Sequence, residues 1–140
     1  MSPRSCLPTA LESGVSLLDR QHTVFLEGLQ ELSRAPDADF IPLYRDFLRQ
    51  AEIAFRIEEN WMEQQDLPII KSHREQHARV LGALHHVHSR ILDGDLPVGR
   101  EVVKRLLPRW FALHITTMDA ELATAMRASD SNPDTRSLPE

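Results

Sequence analysis

The chain has 140 residues, a formal net charge of −5 and a charged fraction of 26%. This length suffices for one domain with a buried core and is too short for two ordinary domains. The acidic balance excludes a basic surface for nucleic acid or an anionic membrane. No apolar run approaches the roughly 18 residues of a membrane span. Residues 1–10 lack the apolar stretch of a secretory signal, so a cytoplasmic location is expected.

Histidine is unusually common, whereas cysteine is nearly absent. The single Cys6 excludes an internal disulfide and a thiolate metal cluster. Any bound metal must therefore use imidazole and carboxylate ligands, which suit iron, manganese or zinc. The seven histidines are His22, His73, His77, His85, His86, His88 and His114.

Four stretches have apolar residues at every third or fourth position, as on one face of a helix. They cover residues 15–34, 40–65, 68–92 and 98–127. Pro36 ends the first stretch, and Gly94 follows the third as in a C-terminal cap. Pro68 is suited to the first position of the third helix. Pro108 lies inside the fourth pattern and is expected to kink or divide that helix.

The predicted fold is all-α, an antiparallel up-down four-helix bundle, because four long helices are joined by short turns. Residues 1–13 are predicted to form an N-terminal arm, and residues 14–127 the bundle. Residues 128–140, rich in Ser, Asp and Pro, are predicted to be a disordered tail.

Each helix places a polar residue on the face where an apolar one is expected. Burying such a group without a partner costs about 1–3 kcal/mol, so a shared metal ion is an economical explanation. Taken alone, each residue also fits a surface position or a hydrogen-bonded core position. The argument therefore rests on the whole set, which is His22, Glu58, His73, His77, His114 and Asp119.

The spacing within this set is informative on two helices. His73 and His77 are four residues apart, so both imidazoles lie on one helix face and could hold one metal ion. His114 and Asp119 are five apart, which places them about 140° from each other on a regular helix. Either the carboxylate reaches around the helix, or a π-type turn widens the helix locally.

Four stretches resemble the motifs of the hemerythrins, especially the bacterial single-domain ones. They are LDRQH at 18–22, FRIEENWM at 55–62, the proline and two histidines of 68–77, and the W-x-x-x-H-I-x-x-x-D pattern of 110–119. The resemblance extends over about residues 14 to 126 with the motifs in order. It implies a four-helix bundle that holds two non-haem iron ions and binds dioxygen or a related small diatomic reversibly, for storage, transport or sensing.

The resemblance also implies a role for each candidate ligand. His73, His77 and His114 would hold the first iron, and His22 the second. Glu58 and Asp119 would bridge both.

One position departs from the family pattern. A second histidine for the second iron is expected four residues before Glu58, where this chain has Ala54. Three interpretations remain open: a diiron site with an exposed second iron, a site with only the three-histidine iron, or a metal-poor interaction domain. The exposed iron also raises an enzymatic alternative, in which the protein reduces peroxide or another oxidant. A sensor role would require a separate partner protein, which the sequence does not identify.

Overall fold

The computed structural model describes residues 11–130, and the side chains of residues 11–128. Helix α1 spans Ser16–Arg34, α2 spans Asp37–Gln64 and α3 spans Ile70–Leu92. Helix α4 runs through residues 96–130 and contains two π-helical segments, Val102–Leu106 and Ile115–Asp119. The predicted all-α four-helix bundle is confirmed. Residues 1–10, which include Cys6 and most of the predicted arm, and residues 131–140 of the predicted tail lie outside the described part of the chain.

Helices α2 and α3 begin at positions other than those predicted. Helix α2 starts at Asp37 directly after the extended residue Pro36, three residues before the predicted start. Helix α3 starts at Ile70, so the predicted helical position of Pro68 is wrong. Asp66 has a φ of 52°, and the Leu67 N–H donates to the Met62 carbonyl at 3.1 Å. The chain therefore leaves α2 through a tight turn, and Pro68 lies within that turn.

Helix α4 continues past Pro108, where a kink or division was predicted. The preceding segment Val102–Leu106 is π-helical, and the Leu107 N–H donates to the carbonyl of Val102, five residues earlier. The helix therefore continues without a break, because the wider π-helical turn before Pro108 replaces regular α-helical hydrogen bonding there. The helix begins at Leu96, with the Asp95 carboxylate accepting from the Val98 N–H at 3.3 Å, and extends to Asp130, three residues beyond the predicted end.

Two apolar clusters fill the bundle at different heights. The larger contains Phe40, Tyr44 and their neighbours, and the Tyr44 hydroxyl donates to the Leu84 carbonyl at 2.8 Å. The smaller cluster contains Leu18, Met62, Leu122 and Ala123. The candidate ligands lie between these clusters in sequence on the helices, so they form a polar layer within an apolar core.

No helix within residues 11–130 is both long enough and apolar enough to cross a membrane.

Candidate metal centre

All six predicted ligands are buried, and the bundle brings them together. Their exposed fractions lie between 0% and 6%. Their ligand atoms form two sets, and within each set the atoms lie within 4.8 Å of one another. The first set is Glu58, His73, His77 and His114, and the second is His22, Glu58 and Asp119.

In the first set, three polar atoms converge without satisfying one another. Nε2 of His77, Nε2 of His114 and Oε1 of Glu58 are buried and have no hydrogen-bond partner among residues 11–130. Oε1 of Glu58 is 3.4 Å from Nε2 of His77 and 3.5 Å from Nε2 of His73. Buried polar groups normally have a partner, because desolvating them otherwise costs free energy. A cation among these nitrogen and oxygen donors would satisfy them, so the residues fit a metal ion.

The outer nitrogens of two histidines are fixed by side chains from other positions in the bundle. Nδ1 of His77 lies 2.7 Å from Oε2 of Glu59, and Nδ1 of His114 lies 3.0 Å from Oε1 of Gln76. A carboxylate only accepts hydrogen bonds, so Nδ1 of His77 donates, and in the neutral ring Nε2 keeps its lone pair. Such outer contacts orient metal-binding imidazoles. The sequence reasoning missed both residues, because each contact joins different helices.

Asp119 connects the two sets. Its Oδ2 lies 2.8 Å from Nε2 of His22, whereas its Oδ1 lies 2.9 Å from Nε2 of His73 and 3.3 Å from Nε2 of His114. One carboxylate oxygen thus faces each set, and Glu58 belongs to both. A carboxylate placed in this way can offer one oxygen atom to each of two neighbouring ligand sets.

A π-helical segment, Ile115–Asp119, brings the Asp119 carboxylate onto the same side of α4 as His114. The π-turn alternative drawn from the five-residue spacing is confirmed, since regular α-helical bonding does not continue through this segment. The Thr117 hydroxyl donates to the Leu113 carbonyl at 2.6 Å, and the Thr116 hydroxyl donates to the Ala112 carbonyl at 2.9 Å. The two hydroxyls thereby supply additional donors to backbone carbonyls where the π-helical segment interrupts the regular helical hydrogen bonding.

The buried charges stabilise one another. Burial alone would raise the pKa of Asp119, but the close imidazoles of His114, His22 and His73 hold that pKa well below the usual range. Burial alone would lower the pKa of His73, but the carboxylates of Asp119 and Glu58 raise it to about 9. In the metal-free protein at neutral pH, Asp119 is therefore ionised and His73 carries a proton.

Aromatic rings cover the histidines. The Phe55 ring stacks on His77 with centroids 3.8 Å apart, and the Trp110 ring stacks on His114 at 4.6 Å. The Phe111 ring meets His22 edge-on at 5.5 Å. These rings restrict water around the ligand atoms and limit the rotation of the imidazoles.

The remaining histidines stand apart from the ligand sets. His85 lies 2.7 Å from the Glu52 carboxylate at the surface, His86 is exposed, and the half-buried His88 stacks on Tyr44. Ala54 is half-buried on α2 and borders a cavity of about 700 Å³ between α1 and α2. The position of the expected seventh ligand therefore opens into this cavity.

An all-α bundle with a buried layer of histidines and carboxylates defines a class of metal-binding helical bundles. The family model described as the hemerythrin HHE cation binding domain matches residues 13–126. A bacteriohemerythrin of Ralstonia nicotianae is 36% identical over 124 residues, which cover 87% of this chain and 90% of that protein. The chain belongs to the hemerythrin family.

Proposed function

We propose that this protein holds two iron ions and binds dioxygen or a related small diatomic. His73, His77 and His114 would hold the first iron, His22 would hold the second, and Glu58 and Asp119 would be shared between them. The observation that carries the proposal is the sharing of carboxylates, since Glu58 belongs to both ligand sets and the two oxygens of Asp119 face different histidines. Membership of a family whose model describes a cation-binding domain supports it further.

The protein's own residues prepare this site in two ways. The contacts of Glu59 with His77 and of Gln76 with His114 aim the Nε2 atoms at a common point. The stacked ring of Phe55 keeps the region apolar, which strengthens electrostatic attraction between carboxylates and a cation. Bound iron supplies the electrons on which reversible dioxygen binding depends.

Ala54 distinguishes this site from the family pattern. With no donor atom at that position, the second iron would have one histidine and the two shared carboxylates as its protein ligands. Non-haem iron held by three protein ligands keeps further positions open, so such an iron would be accessible to water or to small molecules. Ala54 lines the cavity between α1 and α2, so small molecules can approach position 54 from this side of α2.

This opening favours a second candidate function, the reduction of peroxide or another oxidant at the exposed iron. An oxidant bound at an iron that water can also reach would be reduced more readily, and would be released unchanged less often. A metal-poor interaction domain is less well supported, because it would leave the buried atoms of Glu58, His77 and His114 without partners.

The deciding experiment measures iron per chain by mass spectrometry, with an absorption spectrum recorded in air on the same sample. We expect about two irons per chain and near-ultraviolet bands of a bridged pair. One iron or fewer, without these bands, would contradict the diiron proposal. The Ala54→His variant is the matched comparison, since it adds the family's missing donor and should tighten binding of the second iron. Reversible colour change on oxygen cycling supports the binding function, and iron-dependent peroxide turnover supports the enzyme.

A further inference from the structure

Helix α4 has an exposed leucine on each side of a tryptophan that contacts the first ligand set. Leu106 is 53% exposed and Leu113 is 63% exposed. Trp110 lies four residues after the first leucine and three before the second, so the three side chains share one helix face. Trp110 is half-buried, and its ring stacks on that of His114 with centroids 4.6 Å apart. This α4 apolar face, formed by Leu106, Trp110 and Leu113, therefore connects the surface with a candidate metal ligand.

The side of the bundle formed by α3 and α4 has a local excess of cations, although the whole chain has a net charge of −5. Residues 76–92 of α3 and 102–118 of α4 contain no Asp or Glu. These two stretches lie side by side, since Oε1 of Gln76 is 3.0 Å from Nδ1 of His114. Their Lys and Arg residues are Arg79, Arg90, Lys104, Arg105 and Arg109.

Three of these cations are available to a partner. Arg79, Lys104 and Arg109 are exposed and form no ion pair with the side chains of residues 11–128, whereas the other two pair with neighbouring carboxylates. Arg109 directly precedes Trp110 and lies four residues before Leu113, so its guanidinium borders the α4 apolar face. A partner that covers this face therefore meets an apolar centre with positive charge at its edge, which favours an acidic partner.

A surface of this kind suits a protein that delivers electrons in a brief encounter. Electron-transfer complexes bury little area, and complementary charge speeds their association. The first ligand set is buried, and none of its members lines the cavity between α1 and α2. The stacked rings of Trp110 and His114 offer a short contact from the surface to that set.

We propose that the α4 apolar face docks an acidic one-electron carrier protein. The reduced carrier loses one electron, and a ferric ion held by the first ligand set gains it and becomes ferrous. The electron passes through the rings of Trp110 and His114, while the guanidinium of Arg109 attracts carboxylates of the carrier. The inference rests on the proposed function, because it requires iron in the first ligand set, but it does not require the second iron.

Docking is tested on metal-free, isotope-labelled full-length protein by NMR titration with oxidised plant-type ferredoxin, an acidic iron–sulfur protein. We expect changes in amide signals centred on residues 105–113, and we expect high salt to abolish them. Arg109→Glu should weaken ferredoxin binding by about tenfold, whereas Arg49→Glu, the same charge change at an exposed position of α2, should weaken it by about twofold at most. Leu113→Ala should also weaken binding, and Ile53→Ala, at an exposed apolar position of α2, should not.

Electron transfer is tested by mixing the iron-loaded ferric protein with reduced ferredoxin and following the loss of ferric absorption by stopped flow. Trp110→Leu should lower the limiting rate in the saturated complex, and Trp110→Phe, which keeps a ring at this position, should lower it less. Iron content per chain, measured for each variant, shows whether the first ligand set is still intact. Circular dichroism verifies that each variant is folded.

The outcomes separate this inference from the proposed function. Signal changes centred on another surface, or equal effects of Arg109→Glu and Arg49→Glu, would overturn the inference alone. A limiting rate that is the same in Trp110→Leu and in the unmodified chain would also overturn it. One iron per chain, with docking and reduction intact, would contradict the diiron proposal and support the inference. A chain that binds no iron would overturn both.

Discussion

Removing the Glu59 carboxylate tests whether the outer contacts of the histidines contribute to metal binding. Oε2 of Glu59 lies 2.7 Å from Nδ1 of His77, and the two side chains are 23% and 1% exposed. A hydrogen bond to a charged group is worth about 1.5–3 kcal/mol when it is largely sheltered from water. Loss of an outer partner of a metal-binding histidine usually weakens metal binding by about 10- to 100-fold, or ~1.4–2.8 kcal/mol. We expect Glu59→Ala to weaken the first metal ion by that factor, and Glu59→Gln, which keeps an acceptor, to weaken it less.

Glu63 provides the matched control. It lies on the same helix, and its carboxylate lies 3.1 Å from the Arg74 guanidinium, which is also 3.8 Å from the Glu59 carboxylate, but its side chain is 65% exposed. An exposed ion pair contributes about 0–1 kcal/mol, so Glu63→Ala should leave metal affinity nearly unchanged. Competition with a chromophoric chelator measures both variants on metal-free protein. Equal affinities for Glu59→Ala, Glu63→Ala and the unmodified chain would refute the assignment of Glu59 as the residue that orients His77.

Three further predictions concern protons and packing. The carboxylates of Asp119 and Glu58 raise the pKa of His73 from 6.5 to about 9. Protonated His73 therefore adds to the free energy of unfolding of the metal-free protein; this stabilisation is fully present below pH 6.5 and is lost as the pH rises through about 9. Metal uptake near neutral pH should accordingly release a proton from His73 to a pH indicator, and affinity that stays constant between pH 6.5 and 9 would contradict this. Tyr44→Phe removes the buried hydrogen bond to the Leu84 carbonyl and should lower the free energy of unfolding by about 0.5–1.5 kcal/mol in urea, without changing metal content. Gly99→Ala would bring a Cβ to 2.6 Å from Cγ2 of Ile91 and 2.9 Å from Cε2 of Phe40, and should cost about 1–3 kcal/mol. Gly82→Ala meets no atom within 4 Å and should instead stabilise the helix by about 0.4–1 kcal/mol, so similar effects of the two glycine variants would count against this packing.

The sequence by itself determined the helices and the members of the polar layer. Helical periodicity depends on local geometry, so apolar residues at every third or fourth position identified all four helices. The same periodicity placed His22, Glu58 and His73 on core-facing positions, where all three are buried. Helix ends were less predictable, because the turn at Asp66 and the early start at Asp37 depend on how each connection packs. Proline is favoured at the first position of a helix, and this preference led to the prediction for Pro68. In the structure Pro68 lies instead in the turn that includes Asp66, before the start of α3.

Only the tertiary structure decided how the polar layer is assembled. The five-residue spacing of His114 and Asp119 was compatible with a carboxylate that reaches around a regular helix or with a π-type turn. The structure has the π-type turn, at Ile115–Asp119. Glu59 and Gln76 could not be identified as partners of histidines, because those contacts join residues on different helices. The sequence alone showed that position 54 carries alanine where the family pattern has histidine. The cavity beside Ala54 could not be predicted, because it is formed by residues of both α1 and α2. Contacts along one helix follow from residue spacing, whereas contacts between helices depend on their relative rotation and separation, which are set by packing of the whole core.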